Sequence, residues 1–227
     1  MSWRWHVSSG LSQKELWCQG EIVSDGDRVK VVRFEVDGCV YFRKESSSEQ
    51  FGRLLERVTA GGSWCSMPEQ EARNLNQLDS EGFCVVPVVA AGSHFRFGLP
   101  VKGVMVTAAL DAPLLESVLG ENPELWLGYG KLVGRLHCRG YFDDCRAKDV
   151  LVDHGRMVLL DREKSRSGKR WNYQNALKSL RRTSYRNQRS GIQADAGALA
   201  AFWAGYAEGA KLDDEKLRML QQKMPPR

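Results

Sequence analysis

Residues 136–163 constrain this chain more than any other stretch. Within them Asp144 is followed five positions later by Asp149, then by the apolar run Val150-Leu151-Val152, a turn at Asp153-His154-Gly155, a second apolar run from Met157 to Leu160, and Asp161. Two short apolar runs joined by a tight turn predict a β-hairpin, which sets the residues before its first strand beside those after its second. Asp144, Asp149 and Asp161 are therefore expected to converge on one patch. Clustered carboxylates repel unless a cation stands between them, and Mg²⁺ is the usual one, since it takes carboxylate and phosphate oxygens. A plain hairpin with solvated acidic ends is the alternative, so the rest of the chain must supply the other parts.

Upstream, the pattern is that of strands. Residues 14–23 and 28–36 read as two of them, Asp37-Gly38 is a type I′ turn signal, and Cys39 to Lys44 forms a third. Val40, Phe42 and Lys44 share one face of that third strand under its two-residue period. Ser66 and Pro68 then open a helix through Leu78 whose apolar stripe is Ala72, Leu75 and Leu78, with Glu71 one residue ahead of the stripe. Residues 82–92 and 101–106 read as a strand pair. Helical spacing takes over beyond them, at 112–119, at 123–136 with His137 closing the helix as a structural histidine, at 172–185, at 196–207 and at 213–222. In the helix over 172–185, Tyr173, Ala176, Leu177 and Leu180 are expected inward, and Lys178, Arg181 and Arg182 outward.

A chain of 227 residues suffices for one large domain or two lobes sharing a cleft. No apolar run approaches the ~20 residues of a membrane span, and the opening Met-Ser-Trp-Arg-Trp-His lacks a signal peptide's apolar region, so a cytoplasmic location is expected. Cys18, Cys39, Cys65, Cys84, Cys138 and Cys145 contain no C-x-x-C pair and read as small hydrophobes rather than a zinc site. The formal charge is +5, but its distribution says more: Arg162 to Arg189 holds ten Lys or Arg and one acid, Glu163. Such a segment seeks anions, whether of nucleic acid, membrane surface or phosphorylated glycolipid.

The stretch over 136–163 resembles the catalytic core of the protein-kinase-like fold, where H-R-D-x-x-x-x-N precedes two strands and D-F-G. Asp144 and Asp149 match the spacing of the catalytic Asp and the metal-binding Asn, and Asp161 stands where the D-F-G Asp would be. Phe142 and Asp143 replace His and Arg, Asp149 replaces Asn, and Arg162-Glu163 replace Phe-Gly. Within the superfamily the wording is most similar to the bacterial lipopolysaccharide kinases, the inner-core heptose and Kdo kinases. They read Leu-His-x-x-Gly ahead of the catalytic Asp and charged residues after the second Asp. Leu136-His137-Cys138-Arg139-Gly140 and Asp161-Arg162-Glu163-Lys164-Ser165-Arg166 follow that wording.

The resemblance implies an α+β, protein-kinase-like two-lobed fold: an antiparallel sheet lobe over 1–106 that binds nucleotide, and a mostly helical lobe over 107–227 that carries the catalytic loop. Residues 107–110 would be the hinge. It implies an ATP-dependent transfer to a heptose or Kdo hydroxyl of the lipopolysaccharide core. Asp144 would be the catalytic base, Arg146 would face the transferred phosphate, and Asp149 and Asp161 would hold Mg²⁺. Lys44 would hold the ATP phosphates and pair with Glu71, with Arg43 the other candidate cation. The Gly-rich loop has no counterpart, since Gly20 and Gly26 lie six apart without G-x-G-x-x-G. The acceptor would be a lipopolysaccharide core or lipid-A-linked glycolipid, reached at the anionic cytoplasmic face of the inner membrane by way of the basic segment; no nucleic acid is expected. The alternatives are a catalytically inactive kinase-like binding protein, or a basic nucleic-acid-binding module.

Overall fold

The computed structural model describes residues 2–8, 10–120, 122–162, 164 and 170–224; Glu163, Arg166 and Lys169 of the basic segment lie outside them. The chain forms two compact units, Met1–Asp111 with Asp161–Ser165, and Ala112–Leu160 with Arg166–Arg227. The first therefore runs five residues past the boundary expected at 106 and takes back the segment beginning at Asp161.

The first unit is a six-stranded antiparallel sheet. Its strands β1 (Ser2–Ser8), β2 (Glu21–Asp25), β3 (Val29–Val36), β4 (Cys39–Ser46), β5 (Val88–Arg96) and β6 (Leu99–Ala108) lie in the order β1-β5-β6-β4-β3-β2. Helices α1 (Gln13–Leu16), α2 (Phe51–Thr59) and α3 (Met67–Ser80) complete it. One side of the sheet packs Leu16, Phe34, Ala90, Val104 and Val106 against Trp3 and Trp5 of β1.

The expected strand over 14–23 is displaced by a local signal. Ser12 Oγ accepts from the Glu15 amide at 3.3 Å and Glu15 Oε2 from the Ser12 amide at 2.6 Å, a capping box that starts α1. Strand β2 begins only at Glu21. Gly20 is needed for packing, since a Cβ there would meet the Arg33 carbonyl oxygen at 2.2 Å. Helix α3 follows its expectation: Ser66 caps it, and Ala72, Leu75 and Leu78 are fully buried.

The second unit contains α4 (Leu115–Val118), α5 (Pro123–Cys138), a 3₁₀ turn at Ala147–Asp149, the hairpin β7 (Val150–Asp153) and β8 (Arg156–Leu159), α6 (Tyr173–Arg189), α7 (Ala196–Ala210) and α8 (Asp214–Lys223). The hairpin has the expected register, with Val150 opposite Leu159 and the Leu160 amide donating to the Asp149 carbonyl at 2.9 Å.

Helices α5 and α7 cross on glycine from both sides. A Cβ on Gly130 would lie 2.0 Å from the Phe202 carbonyl oxygen, one on Gly134 2.4 Å from that of Tyr206, one on Gly205 2.0 Å from that of Leu127, and one on Gly209 2.2 Å from that of Lys131. Glycines four apart on each helix let the two backbones touch. Alanine ordinarily stabilises a helix interior by about 1 kcal/mol over glycine, whereas overpacking costs about 1–3 kcal/mol. Gly130→Ala is therefore expected to lower stability in urea or heat by about 2 kcal/mol or more. Gly128→Ala, whose Cβ would meet only the flexible end of Met157 at 3.0 Å, is expected to be near neutral.

Candidate functional site

In the first unit, strand alternation decides between the two candidate cations of β4. Arg43 turns to the face that carries Leu16 and Phe34, where its Nη1 donates to the carbonyls of Leu16 at 2.8 Å and Cys18 at 3.0 Å. Its guanidinium lies over the rings of Trp17 and Phe34, each 5.4 Å away, and its Nε pairs with Glu45 at 2.6 Å. Arg43 is a packing residue. Lys44 points the other way, and its Nζ stands 2.5 Å from Glu71 Oε2 and 3.6 Å from Asp161 Oδ2.

Helix α3 presents that Glu71, whose side chain is 1% exposed. A carboxylate so buried is retained only when a cation meets it. Glu69, two residues earlier, is committed elsewhere: it takes Arg73 at 2.7 Å and the Ser93 hydroxyl at 2.5 Å. The same helix fixes the segment that carries Asp161, because Asn74 Nδ2 donates to the Arg162 carbonyl at 2.8 Å and Gln70 Nε2 in turn donates to Asn74 Oδ1 at 2.9 Å.

In the second unit the loop between α5 and the hairpin is held by α6. Residues one and two turns apart on that helix reach its backbone. The Ser179 hydroxyl donates to the Asp143 carbonyl at 3.2 Å, and Arg182 donates to the Phe142 carbonyl at 3.2 Å. Thr183 Oγ1 accepts from the Cys145 amide at 3.2 Å, and Asn187 Oδ1 from the Ala147 amide at 3.1 Å. Tyr129 of α5 donates to the Cys145 carbonyl and accepts from Asn187 Nδ2.

His137 is structural, as expected. Ser179 spends its proton on Asp143, so it accepts from His137 Nε2 at 3.0 Å, which leaves His137 Nδ1 to accept from the Tyr206 hydroxyl at 2.9 Å. Phe142, where the kinase pattern has His, packs its ring 5.4 Å from that of His137.

Asp144 is held by α6 as well. Its side chain is 7% exposed and Arg186 Nη1 stands 2.7 Å from its Oδ2. Burial pushes the carboxyl pKa up. The Arg186 guanidinium, hydrogen bonds to its own amide and with the Asp143 side chain, and the charge of Arg182 outweigh that, holding it below the usual carboxylate range. Arg186 was not singled out in the sequence. Its only signal was its place seven residues after Ser179 on the helical repeat. Arg146 grips both oxygens of Asp149, Nε to Oδ2 at 2.5 Å and Nη2 to Oδ1 at 2.8 Å. Cys145 is buried and is not in a disulfide.

The three carboxylates expected to converge are divided between the two units, Asp144 and Asp149 in the second and Asp161 in the first. Among the described residues no group of three or more His, Cys, Asp or Glu side chains is placed to hold a metal ion. Each carboxylate has a cation instead: Arg186 on Asp144, Arg146 on Asp149, Lys44 on Asp161. Carboxylate oxygens such as those of Asp149 and Asp161 are of the donor type that Mg²⁺ takes.

The basic segment is partly absorbed by the fold. Arg181 donates to the Lys223 carbonyl at 2.5 Å, while Arg182 and Arg186 serve the 142–147 loop, leaving Lys178 exposed. Between α5, α6, α7 and α8 lies a cavity of about 390 Å³ lined by Trp126, Leu180, Ile192, Phe202, Trp203 and Met224 among others. Among the described residues no helix is long and apolar enough to cross a membrane.

No protein-family model and no curated protein sequence matches the chain. Solved structures do. WaaP, in a complex with acyl carrier protein, superposes with a TM-score of 0.60 at 17% identity, over 97% of each chain. WbdD gives a TM-score of 0.46 at 17% identity, covering 87% of this chain and 48% of its own. The fold is that of WaaP: a protein-kinase-like fold of the kind the sequence wording implied, with an antiparallel sheet in its N-terminal part and helices in its C-terminal part.

The pairing of Lys44 with Glu71 has a measurable signature. Lys44→Met and Glu71→Gln are each expected to raise KM for ATP or lower turnover at least tenfold. The double variant should be little worse than either, because both remove one shared interaction. Arg43→Met should instead lower the melting temperature. Additive losses, or a turnover defect from Arg43→Met alone, would contradict the assignment.

Proposed function

We propose that this protein is an ATP-dependent kinase that phosphorylates a heptose or Kdo hydroxyl of the lipopolysaccharide inner core, at the cytoplasmic face of the membrane. The observation that carries the reading is the ammonium of Lys44 set between buried Glu71 and Asp161, the arrangement a kinase uses on nucleotide phosphates. Support for the substrate class comes from the motif wording at 136–166, and the fold shared with WaaP supports the kinase-like architecture.

In this reading Lys44 binds the α- and β-phosphates of ATP, with Glu71 fixing its position. Asp144, ionised at neutral pH because Arg186 faces it, orients the acceptor hydroxyl and takes its proton. The acceptor oxygen forms its bond to the γ-phosphorus as the bond from that phosphorus to the β,γ-bridging oxygen breaks, and ADP carries away the electron pair. Asp149 and Asp161 would hold Mg²⁺, which supplies charge neutralisation at the phosphates. Arg146, which holds both oxygens of Asp149 in this structure, is the residue that the motif resemblance assigns to the transferred phosphate.

The other partner we propose is acyl carrier protein, since the WaaP structure contains it and the apolar cavity between α5 and α8 has the chemistry to take an acyl chain. An acylated carrier should co-elute with the protein in gel filtration and the unacylated form should not. Equal behaviour of the two would remove the cavity from the account.

A catalytically inactive nucleotide-binding protein is the second reading, favoured by Gly20 serving sheet packing rather than a phosphate loop. Transfer of ³²P from [γ-³²P]ATP to lipopolysaccharide core separates the two. Asp144→Asn is expected to lower kcat by about 10³-fold while leaving nucleotide affinity unchanged. Because the base must be ionised and its pKa lies below the usual carboxylate range, the acid limb of kcat should lie lower than that of an ordinary aspartate. Arg186→Met leaves burial to dominate and should move that limb upward. The depressed pKa also means that this carboxylate's contribution to stability is present above its unfolded pKa and lost as pH falls through the folded one. An unmoved limb would place the charge that sets Asp144 elsewhere.

A further inference from the structure

Three two-residue turns have both residues at positive φ: Asp37-Gly38 at 50° and 76°, Phe97-Gly98 at 51° and 77°, and His154-Gly155 at 46° and 79°. The first position of such a turn suits Asn, Asp or Gly; a bulky side chain there costs about 1–2 kcal/mol. Asp37 and His154 are polar and tolerated. Phe97, at the tip between β5 and β6, is aromatic and 90% exposed. It therefore pays a backbone cost and returns almost no packing, so the fold itself gives no reason for it.

The ring is not alone. Trp64 Nε1 donates to the Gly98 carbonyl at 2.9 Å, which fastens the indole beneath the same turn. The ring of Phe51, on the outer face of α2, meets that of Trp64 edge-on at 6.5 Å. Leu55 lies one helical turn beyond Phe51, and Leu99 follows the turn; Phe51, Leu55, Trp64 and Leu99 are all exposed. Leu54 and Val58 supply the inward side of α2, so Phe51 and Leu55 are surplus to its burial.

Cations frame this ridge. The Arg96 guanidinium stands 5.2 Å over the Phe97 ring, and Arg4 donates to the Trp64 carbonyl at 3.0 Å while lying 4.3 Å over Phe95. Both arginines are exposed. A ridge of this charge would repel its own copy in a two-fold contact. Projecting aromatic rings with arginine and tryptophan at their base match the region between lipid headgroups and acyl chains, where apolar burial and attraction to anionic headgroups add.

We propose that the Phe97 turn and the outer face of α2 form a membrane-docking surface that inserts its aromatic side chains into an anionic lipid bilayer. The inference rests on the reading above in that it names where a kinase of a membrane-borne glycolipid meets the membrane. Its test is independent of that reading, because vesicle binding needs neither nucleotide nor acceptor.

The experiment is sedimentation with phosphatidylcholine vesicles with and without 30% phosphatidylglycerol (about that fraction suffices to set a negative surface potential). Wild-type protein should pellet with the anionic vesicles, less so as salt rises. Phe97→Asn is the informative variant, since Asn-Gly is the favoured sequence for this turn. It should raise the melting temperature and yet weaken vesicle binding at least about tenfold, the fold-change expected from withholding one phenyl ring from lipid. Leu55→Ser should weaken binding with little change in melting, and Lys178→Glu, in the basic segment expected from the sequence to meet the membrane, should weaken it less than Phe97→Asn does. The proposal is overturned if Phe97→Asn binds as wild type does, if Lys178→Glu rather than Phe97→Asn abolishes binding, or if the ridge instead mediates self-association or binding of a soluble protein without lipid. Loss of ³²P transfer in Asp144→Asn with vesicle binding intact would separate failure of the two ideas.

Discussion

The face of α6 that meets the 142–147 loop is the constraint on which the second unit depends. That loop has no regular structure, so its amides and carbonyls must find partners outside a helix or sheet ladder. Ser179, Arg182, Thr183 and Asn187 supply them, and the helical repeat that spaces these residues also delivers Arg186 to Asp144. A carboxylate this buried would otherwise be driven toward its neutral form. One helix thus fixes both where the loop runs and the ionisation state of its central acid. The glycine crossing of α5 and α7 sets the other wall, where Tyr129 and Tyr206 reach the loop and His137.

The first unit solves a related problem with strand geometry. Adjacent residues of β4 face opposite ways, so Arg43 and Lys44 are divided between two jobs: Arg43 clamps the α1 segment to the sheet, and Lys44 meets Glu71 and Asp161. Charge is handled residue by residue in both units. Every acid of the proposed machinery has a basic side chain on it in this structure, which offsets the penalty of isolated buried charge.

Much of this was legible in the sequence where a local rule governed it. The two-residue period chose Lys44 over Arg43, Ser66 and Pro68 marked the start of α3, and the apolar runs on either side of His154-Gly155 gave the hairpin register. Other features were hidden because their cause is tertiary. Arg186 reads as one more cation on a basic helix until Asp144 is placed against it. The spacing of Arg146 and Asp149 gave no hint that the guanidinium would close on the carboxylate rather than stand ready for a phosphate. The capping box of Ser12 and Glu15 starts a helix among residues whose own preference is for strand, and β1 alternates tryptophan with polar residues over too short a run to stand out without its partner β5.

The central claim is that the charged machinery around Lys44, Asp144 and Asp161 transfers phosphate to a lipopolysaccharide core sugar. Mass spectrometry of core oligosaccharide from cells with and without the protein tests it most directly. The account predicts a core that lacks one phosphoryl group when the protein is absent and regains it on complementation with the wild-type chain. Identical phosphorylation of the core in both cell populations would contradict it.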